Sequence, residues 1–101
     1  MKNKKFDLGE VAITDGIARL IYQDNFENGE RFNREVLESL QKHQSGDWGN
    51  LCEEDKQLND SAVVDGGRTL SAYEIGENKV KIWIITEWNR SCTTILLPEE
   101  Y

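Results

Sequence analysis

Long hydrophobic runs are missing from this 101-residue chain, which also holds only two cysteines and one proline. No apolar stretch approaches the ~20 residues that a membrane-spanning helix needs, so we expect no membrane association. The start, MKNKKFDLGE, carries lysines without a hydrophobic segment behind them, unlike a secretory signal. Cys52 and Cys92 lack CxxC spacing, so we expect reduced thiols in a cytoplasmic protein.

Basic residues are also in short supply, with 12 Lys and Arg against 19 Asp and Glu and a net charge of −7. Nucleic-acid affinity depends largely on Lys and Arg that neutralise phosphates, so we expect no direct contact with nucleic acid. An acidic small domain is typical of a protein that stays soluble, or of one that binds a protein partner with a basic surface. Both interpretations stay open on charge alone.

Sequence motifs for catalysis and metal binding are absent too. There is no GxSxG, no phosphate-binding glycine loop and no Cys–His pair close in sequence. His43, the one histidine, ends a predicted helix, which favours a structural role. A calcium loop starting at Asp47 would place Cys52 where glycine is required, and zinc ligands are too few. We therefore predict no enzyme activity, no metal and no cofactor.

Hydrophobic periodicity predicts one α+β domain over residues 1–101. A short strand at Glu10–Ile13 precedes three helices, over 15–24, 27–44 and 52–65. Thr14 is the predicted N-cap of the first helix. The inward stripe of the second helix is predicted to consist of Phe32, Val36, Leu37 and Leu40.

From Arg68 onward the hydrophobic period changes to two, which predicts three strands over 68–75, 79–88 and 91–97. Two-residue turns at 77–78 and 89–90 would place Tyr73 opposite Ile82 and Glu74 opposite Lys81. We therefore predict three helices packed on a C-terminal three-stranded antiparallel meander, with a short N-terminal strand. Its edge strands leave homo-oligomer formation open.

Two tryptophans have alternative interpretations. Trp48 stands between Gly46 and Gly49, where it either closes the core under a corner or is an exposed anchor for a partner. Trp88 and Arg90 lie beside a predicted turn, where they form either an exposed contact point or an ordinary strand end.

Acidic residues cluster between positions 47 and 65, where six carboxylates and one lysine give a local charge of −5. Carboxylates in the first turn of the third helix are stabilised by its dipole, so a solvated helix face explains them. The alternative is that they imitate nucleic-acid phosphates and oppose a basic groove of a partner. The candidate partner-binding residues are Asp47, Trp48, Glu53, Glu54, Asp55, Asp60, Trp88 and Arg90.

Four runs together resemble a family of short bacterial proteins carried by plasmids, conjugative elements and prophages, often labelled plasmid-related proteins. The runs are KFDLGEVAIT, GDWG, CEEDKQLND and KIWIITEWNRSCTTILLPEEY. The resemblance spans nearly the full chain and brings no established catalytic motif. The resemblance implies that some relatives are anti-CRISPR proteins that act on type II (Cas9) systems.

The resemblance implies that the protein blocks a host defence. We expect a non-enzymatic inhibitor of a nucleic-acid-processing defence enzyme, with Cas9 the first candidate target and a restriction system the second. The alternative is an accessory module that binds a plasmid or phage protein in replication, transfer or gene regulation.

Overall fold

The computed structural model describes residues 4–22 and 26–101. Its elements are β1 (Glu10–Ile13), α1 (Asp15–Ile21), α2 (Phe26–Gln44), α3 (Glu53–Asp65), β2 (Thr69–Ile75), β3 (Val80–Thr86) and β4 (Cys92–Leu96), with a 3-10 turn at Pro98–Glu100. The predicted α+β class is confirmed, and the helices follow one strand and precede the other three. The predicted end of the first helix, at Gln23 and Asp24, lies outside the described residues. Within the described ranges, no helix has the length and apolar content that a bilayer span requires.

The four strands form one mixed sheet in the order β1-β4-β3-β2. β2, β3 and β4 are antiparallel in the predicted register, with Tyr73 paired with Ile82 and Ile84 with Ile95. β1 adds to this meander as a parallel neighbour of β4, with Ile13 beside Ile95. Hydrophobic periodicity identifies a strand but not its partner, so the parallel pairing emerges only in the fold.

The first hairpin turn has the predicted two central residues, whereas the second hairpin has a longer loop. In the first, the Lys79 N–H donates to the Gly76 carbonyl at 3.3 Å, so the turn centres on residues 77–78 as predicted. In the second, the Arg90 N–H donates to the Glu87 carbonyl at 2.9 Å, which centres the turn on residues 88–89. The pairing of Thr86 with Thr93 confirms the predicted centre of the hairpin at 89–90, but the loop between the strands spans four residues, 88–91, and not two. Arg90 follows this turn with a φ of 59°, the left-handed residue that often completes a longer hairpin loop.

α2 covers one face of the sheet with a stripe that differs from the prediction. Phe32 and Val36 are buried in the main hydrophobic cluster, and Leu40 packs against it. Leu37 is 53% exposed, so its predicted place in the stripe was wrong. The buried face of α2 instead continues from Val36 to Ser39, three residues later, and then to His43, four residues after Ser39. Residues at these spacings lie on one side of a helix.

His43 is the polar centre of this core. The side chain is fully buried, and its Nε2 lies 2.9 Å from Thr86 Oγ1 while Nδ1 hydrogen-bonds to Ser71 Oγ. Thr86 Oγ1 lies 2.7 Å from Thr93 Oγ1, so one network joins α2 to the three antiparallel strands. Burial, and secondarily the charge of Arg90, lowers the pKa of His43 from 6.5 to about 3. The histidine is therefore neutral in the folded protein at neutral pH.

The N-terminus of α1 is capped from the other end of the chain. Thr14 has the predicted N-cap position, but its side chain makes no cap hydrogen bond. Instead, the Thr14 hydroxyl donates to Glu100 Oε1, and the Gly16 N–H donates to Glu100 Oε2 at 2.9 Å. These bonds favour the ionised carboxylate and lower the pKa of Glu100. The 3-10 turn thereby joins the end of β4 to α1.

The neutral state of His43 predicts a specific pH dependence of stability. The unfolded chain takes up a proton near pH 6.5, whereas the folded chain resists it until about pH 3. The free energy of unfolding should therefore fall on acidification, by about 1 kcal/mol between pH 7 and pH 5.5 from this residue. Urea denaturation across that range measures the change while Asp and Glu stay ionised. The His43→Gln variant should show a much shallower slope, and an equal slope in both proteins would contradict the assignment.

Candidate protein-binding surface

Negative charge is concentrated on α3 and on the loop that precedes it. Residues 47–65 carry −5 of the chain's net charge of −7. Glu53, Glu54 and Asp55 occupy the first turn of α3 and are exposed. Carboxylates at this end interact favourably with the free backbone N–H groups, by about 0.3–1 kcal/mol each. Helix geometry alone therefore accounts for their stability, and their exposure leaves them accessible to a partner.

α3 is attached to the sheet by polar contacts. Its buried residue is Asn59, whereas Leu58 is 67% and Val64 82% exposed. The Asn59 amide nitrogen donates to the Leu70 carbonyl at 2.8 Å, and the Leu70 N–H donates to Asn59 Oδ1 at 3.2 Å. The side chain thus pairs with the outer edge of β2 as a neighbouring strand would. Since Asn59 defines the inner side of α3, Glu53 and Glu54 lie on the side that faces solvent.

Trp48 is a core residue, so its interpretation as an exposed anchor was wrong. The side chain is 3% exposed and stacks on Phe6, with ring centroids 5.9 Å apart. It also meets the edge of His43 at 5.6 Å, and its indole N–H donates to Asp60 Oδ1 at 2.9 Å. The tryptophan closes the corner between α2 and α3, and one carboxylate oxygen of Asp60 satisfies its polar atom. Asp47, next to Trp48, stays exposed and accepts the Gly49 N–H at 3.3 Å through Oδ1.

Trp88 and Arg90 do not form a joint contact point. Trp88 is 68% exposed at the tip of the β3–β4 turn. The Arg90 guanidinium points back into the molecule, where it donates to the carbonyls of Ala62 at 2.9 Å and of Gly67. It also lies 5.2 Å from the centre of the Phe6 ring. Arg90 therefore caps the C-terminal end of α3, while its role as a partner anchor stays a prediction.

The predicted residues fall into separate groups in the fold. Asp47, Trp48 and Asp60 meet at the corner between α2 and α3, while the first turn of α3 holds the three exposed acids. Arg90 binds the other end of that helix, and a 13-residue helix is about 20 Å long. Trp88 thus lies far from the exposed acids, so the candidate surface is reduced to the N-terminal half of α3.

A groove lies between the N-terminal half of α3 and the face of the sheet opposite the one that α2 covers. Its volume is about 320 Å³. Its lining residues are Leu51, Asp55, Leu58, Asn59, Arg68, Leu70 and Tyr101. The Arg68 guanidinium lies over the Tyr101 ring at 5.2 Å, and Tyr101 meets the edge of Trp83 at 5.7 Å. The groove therefore has apolar walls, with Asp55 and Arg68 as its charged groups.

Leu58 is the residue of this surface that sequence reasoning missed. It follows Glu54 by four residues and Asp55 by three, so all three side chains are neighbours on α3. An exposed leucine beside two carboxylates can bury apolar surface against a partner while the acids meet its cations. The apolar residues of α3 do not form one stripe along the helix. This pattern was the available signal that one of them would be exposed.

The arrangement offers little for catalysis or metal binding. The His43–Ser71 pair has the chemistry of a base and a hydroxyl, but both residues are fully buried, so no substrate reaches them in this fold. Among residues 4–22 and 26–101, no three His, Cys, Asp or Glu side chains are grouped to hold a metal ion. Cys52 and Cys92 are free thiols.

Comparison with known proteins yields no match: no protein-family model, no curated protein and no solved structure is similar to this chain.

The attachment of α3 predicts a local effect of Asn59→Ala. The substitution removes both bonds to Leu70 and leaves two backbone groups of β2 without their partner. We expect the free energy of unfolding to fall by about 2 kcal/mol. Amide hydrogen exchange should accelerate more in α3 than in α2. Gln57→Ala, at an exposed position of the same helix, is the matched control and should change neither measurement. Unchanged exchange in α3 after Asn59→Ala would contradict this attachment.

Proposed function

We propose that this chain is a non-enzymatic binding protein from a mobile genetic element that inhibits a host nucleic-acid-processing defence enzyme. It acts in the bacterial cytoplasm, where it occupies a basic nucleic-acid-binding surface of its target. Guide-loaded Cas9 is the first candidate target, and a restriction enzyme is the second. The mobile-element origin rests on the sequence resemblance, and the mode of binding rests on the charge of α3.

The observation that carries the proposal is the outward placement of the acids on α3. Six of the 19 carboxylates lie within residues 47–65, and the other 82 residues nearly balance their charges, with thirteen acids against eleven bases. A cleft lined with Lys and Arg attracts such a surface as it attracts phosphates, because charge complementarity steers association and fixes orientation.

Leu58 supplies the apolar part of the contact. Charged pairs at the rim of an interface contribute modestly to affinity, while a few desolvated side chains carry most of it. Leu58 is 67% exposed between Glu54 and Asp55, so a partner whose cations meet these acids also covers the leucine. The proposed interface is therefore the exposed leucine beside Glu54 and Asp55, with Glu53 in the same first turn of α3.

Charge reversal tests the electrostatic part of the proposal. The double variant Glu53→Lys, Glu54→Lys should bind guide-loaded Cas9 about tenfold or more weakly, because two attractions become repulsions. Binding of the wild-type chain should also weaken between low and physiological ionic strength, since exposed charges are screened. Biolayer interferometry measures both effects, with a type I restriction enzyme as the parallel target.

The matched control reverses two exposed acids elsewhere, as Glu30→Lys, Glu38→Lys on α2. This variant has the same net charge as the test variant and should retain most of the affinity. Affinity that ignores salt and is equally changed by both double variants would contradict the proposed surface.

Substitution of Leu58 tests the apolar part. Leu58→Ala should weaken binding to the same target by about tenfold, as expected when a central apolar contact is truncated. The melting temperature should change little, because the side chain is 67% exposed in the free protein. Val64→Ala, at the exposed C-terminal half of α3, is the control. Equal losses for the two variants would remove Leu58 from the interface.

A further inference from the structure

The two edges of the sheet differ in how they are covered. At the β2 edge, Asn59 pairs with Leu70, and the residues before α3 pair with Ala72. The Ala72 N–H donates to the Trp48 carbonyl at 3.2 Å, and the Asn50 N–H donates to the Ala72 carbonyl at 2.7 Å. These four hydrogen bonds occupy the backbone N–H and C=O groups of Leu70 and Ala72, which point away from β3. The β2 edge is thereby protected from pairing with another chain.

The β1 edge has no such cover among the described residues. The N–H groups of Glu10 and Thr14 donate to the carbonyls of Ser91 and Ile95, at 3.0 and 3.1 Å. Since backbone direction alternates along a strand, Val11 and Ile13 turn their N–H and C=O groups away from β4. β1 ends the sheet, so these groups have no strand partner in the part of the chain that the structure describes. The Val11 and Ile13 side chains are 42% and 41% exposed.

We propose that β1 is the interface of a symmetric dimer, in which the β1 strands of two copies pair antiparallel and join their sheets into one of eight strands. The outward groups determine the register. Val11 exchanges two backbone hydrogen bonds with Ile13 of the second copy, and Ile13 does the same with Val11 of that copy. The twofold axis then passes beside Ala12, which faces Ala12 of the second copy as a non-hydrogen-bonded pair.

The edge is self-complementary in this register. Val11 and Ile13 are β-branched and share one face of the sheet, so each covers its counterpart across the new strand pair. Ala12 is small enough to face itself at the close spacing of a non-hydrogen-bonded pair. Glu10 falls opposite Thr14 of the second copy, so no acid opposes an acid within the paired strands, although each chain has a net charge of −7.

The size of the interface determines the strength of the dimer. Four backbone hydrogen bonds and two apolar pairs from a four-residue strand bury much less than the roughly 800 Å² per partner of a standard interface. The dimer is therefore weak and forms at high protein concentration. Its stability should increase with salt, because screening reduces the repulsion between two acidic chains.

Charge substitution at Ala12 tests the interface without changing any residue of the core. Ala12→Glu and Ala12→Lys each place two like charges face to face at the twofold axis, and Ala12 is exposed in the free chain. Each variant alone should raise the dissociation constant of the dimer about tenfold or more. An equimolar mixture of the two should recover dimers that contain one copy of each. Sedimentation equilibrium over a concentration series gives the constants, and native mass spectrometry gives the composition.

Val64→Glu is the matched control, because it adds the same charge to an 82% exposed position on α3. This variant should dimerise as the wild-type chain does. A wild-type chain that remains monomeric at about 1 mM would overturn the proposal, since even a weak dimer with a dissociation constant of about 1 mM would hold half of the chains there. Dimerisation of Ala12→Glu with unchanged affinity would overturn it too, as would a mixture without mixed dimers.

Discussion

The pairing of the Asn59 side chain with the backbone of Leu70 is the interaction on which the candidate surface depends. Asn59 is the buried residue of α3, so the helix lies on the sheet without a buried apolar stripe. Because a side-chain amide has both N–H donors and an acceptor oxygen, a single side chain satisfies both groups of an edge residue. The helix is thus attached through a polar contact, and its acids and Leu58 are left for solvent or a partner.

Polar side chains also join a helix to the sheet at the centre of the core. His43 occupies a site that the hydrophobic stripe of α2 would otherwise fill, and it joins the helix to hydroxyls on β2 and β3. Buried polar groups cost free energy unless they are paired, and in the described residues every buried side-chain nitrogen and oxygen has a partner. A fully paired network favours one register of helix on sheet, because any shift would leave several of these groups without bonds.

Much of the fold was predictable because its signals are local. The period of two after Arg68 and the cross-strand pairs identified the meander and its register, and the boundaries of β1 and α3 were close to those observed. The errors have physical causes. Leu37 was placed in the core but is 53% exposed. Helical spacing does not reveal which side of a wide apolar stripe faces the sheet. The second hairpin has a longer loop than the predicted two-residue turn, because Arg90 adopts a left-handed conformation that residue type rarely signals.

The sequence by itself determined the α+β class, the order of elements and the concentration of acid between residues 47 and 65, because periodicity, turn chemistry and charge are properties of neighbouring residues. Only the tertiary structure decided that Trp48 is buried, that Arg90 binds the end of α3, that β1 joins β4 in parallel, and that Leu58 is exposed beside the acids. Each of these depends on contacts between residues distant in the chain. A tryptophan or an arginine has the same identity in a core as at an interface, and only its packed neighbours distinguish the two.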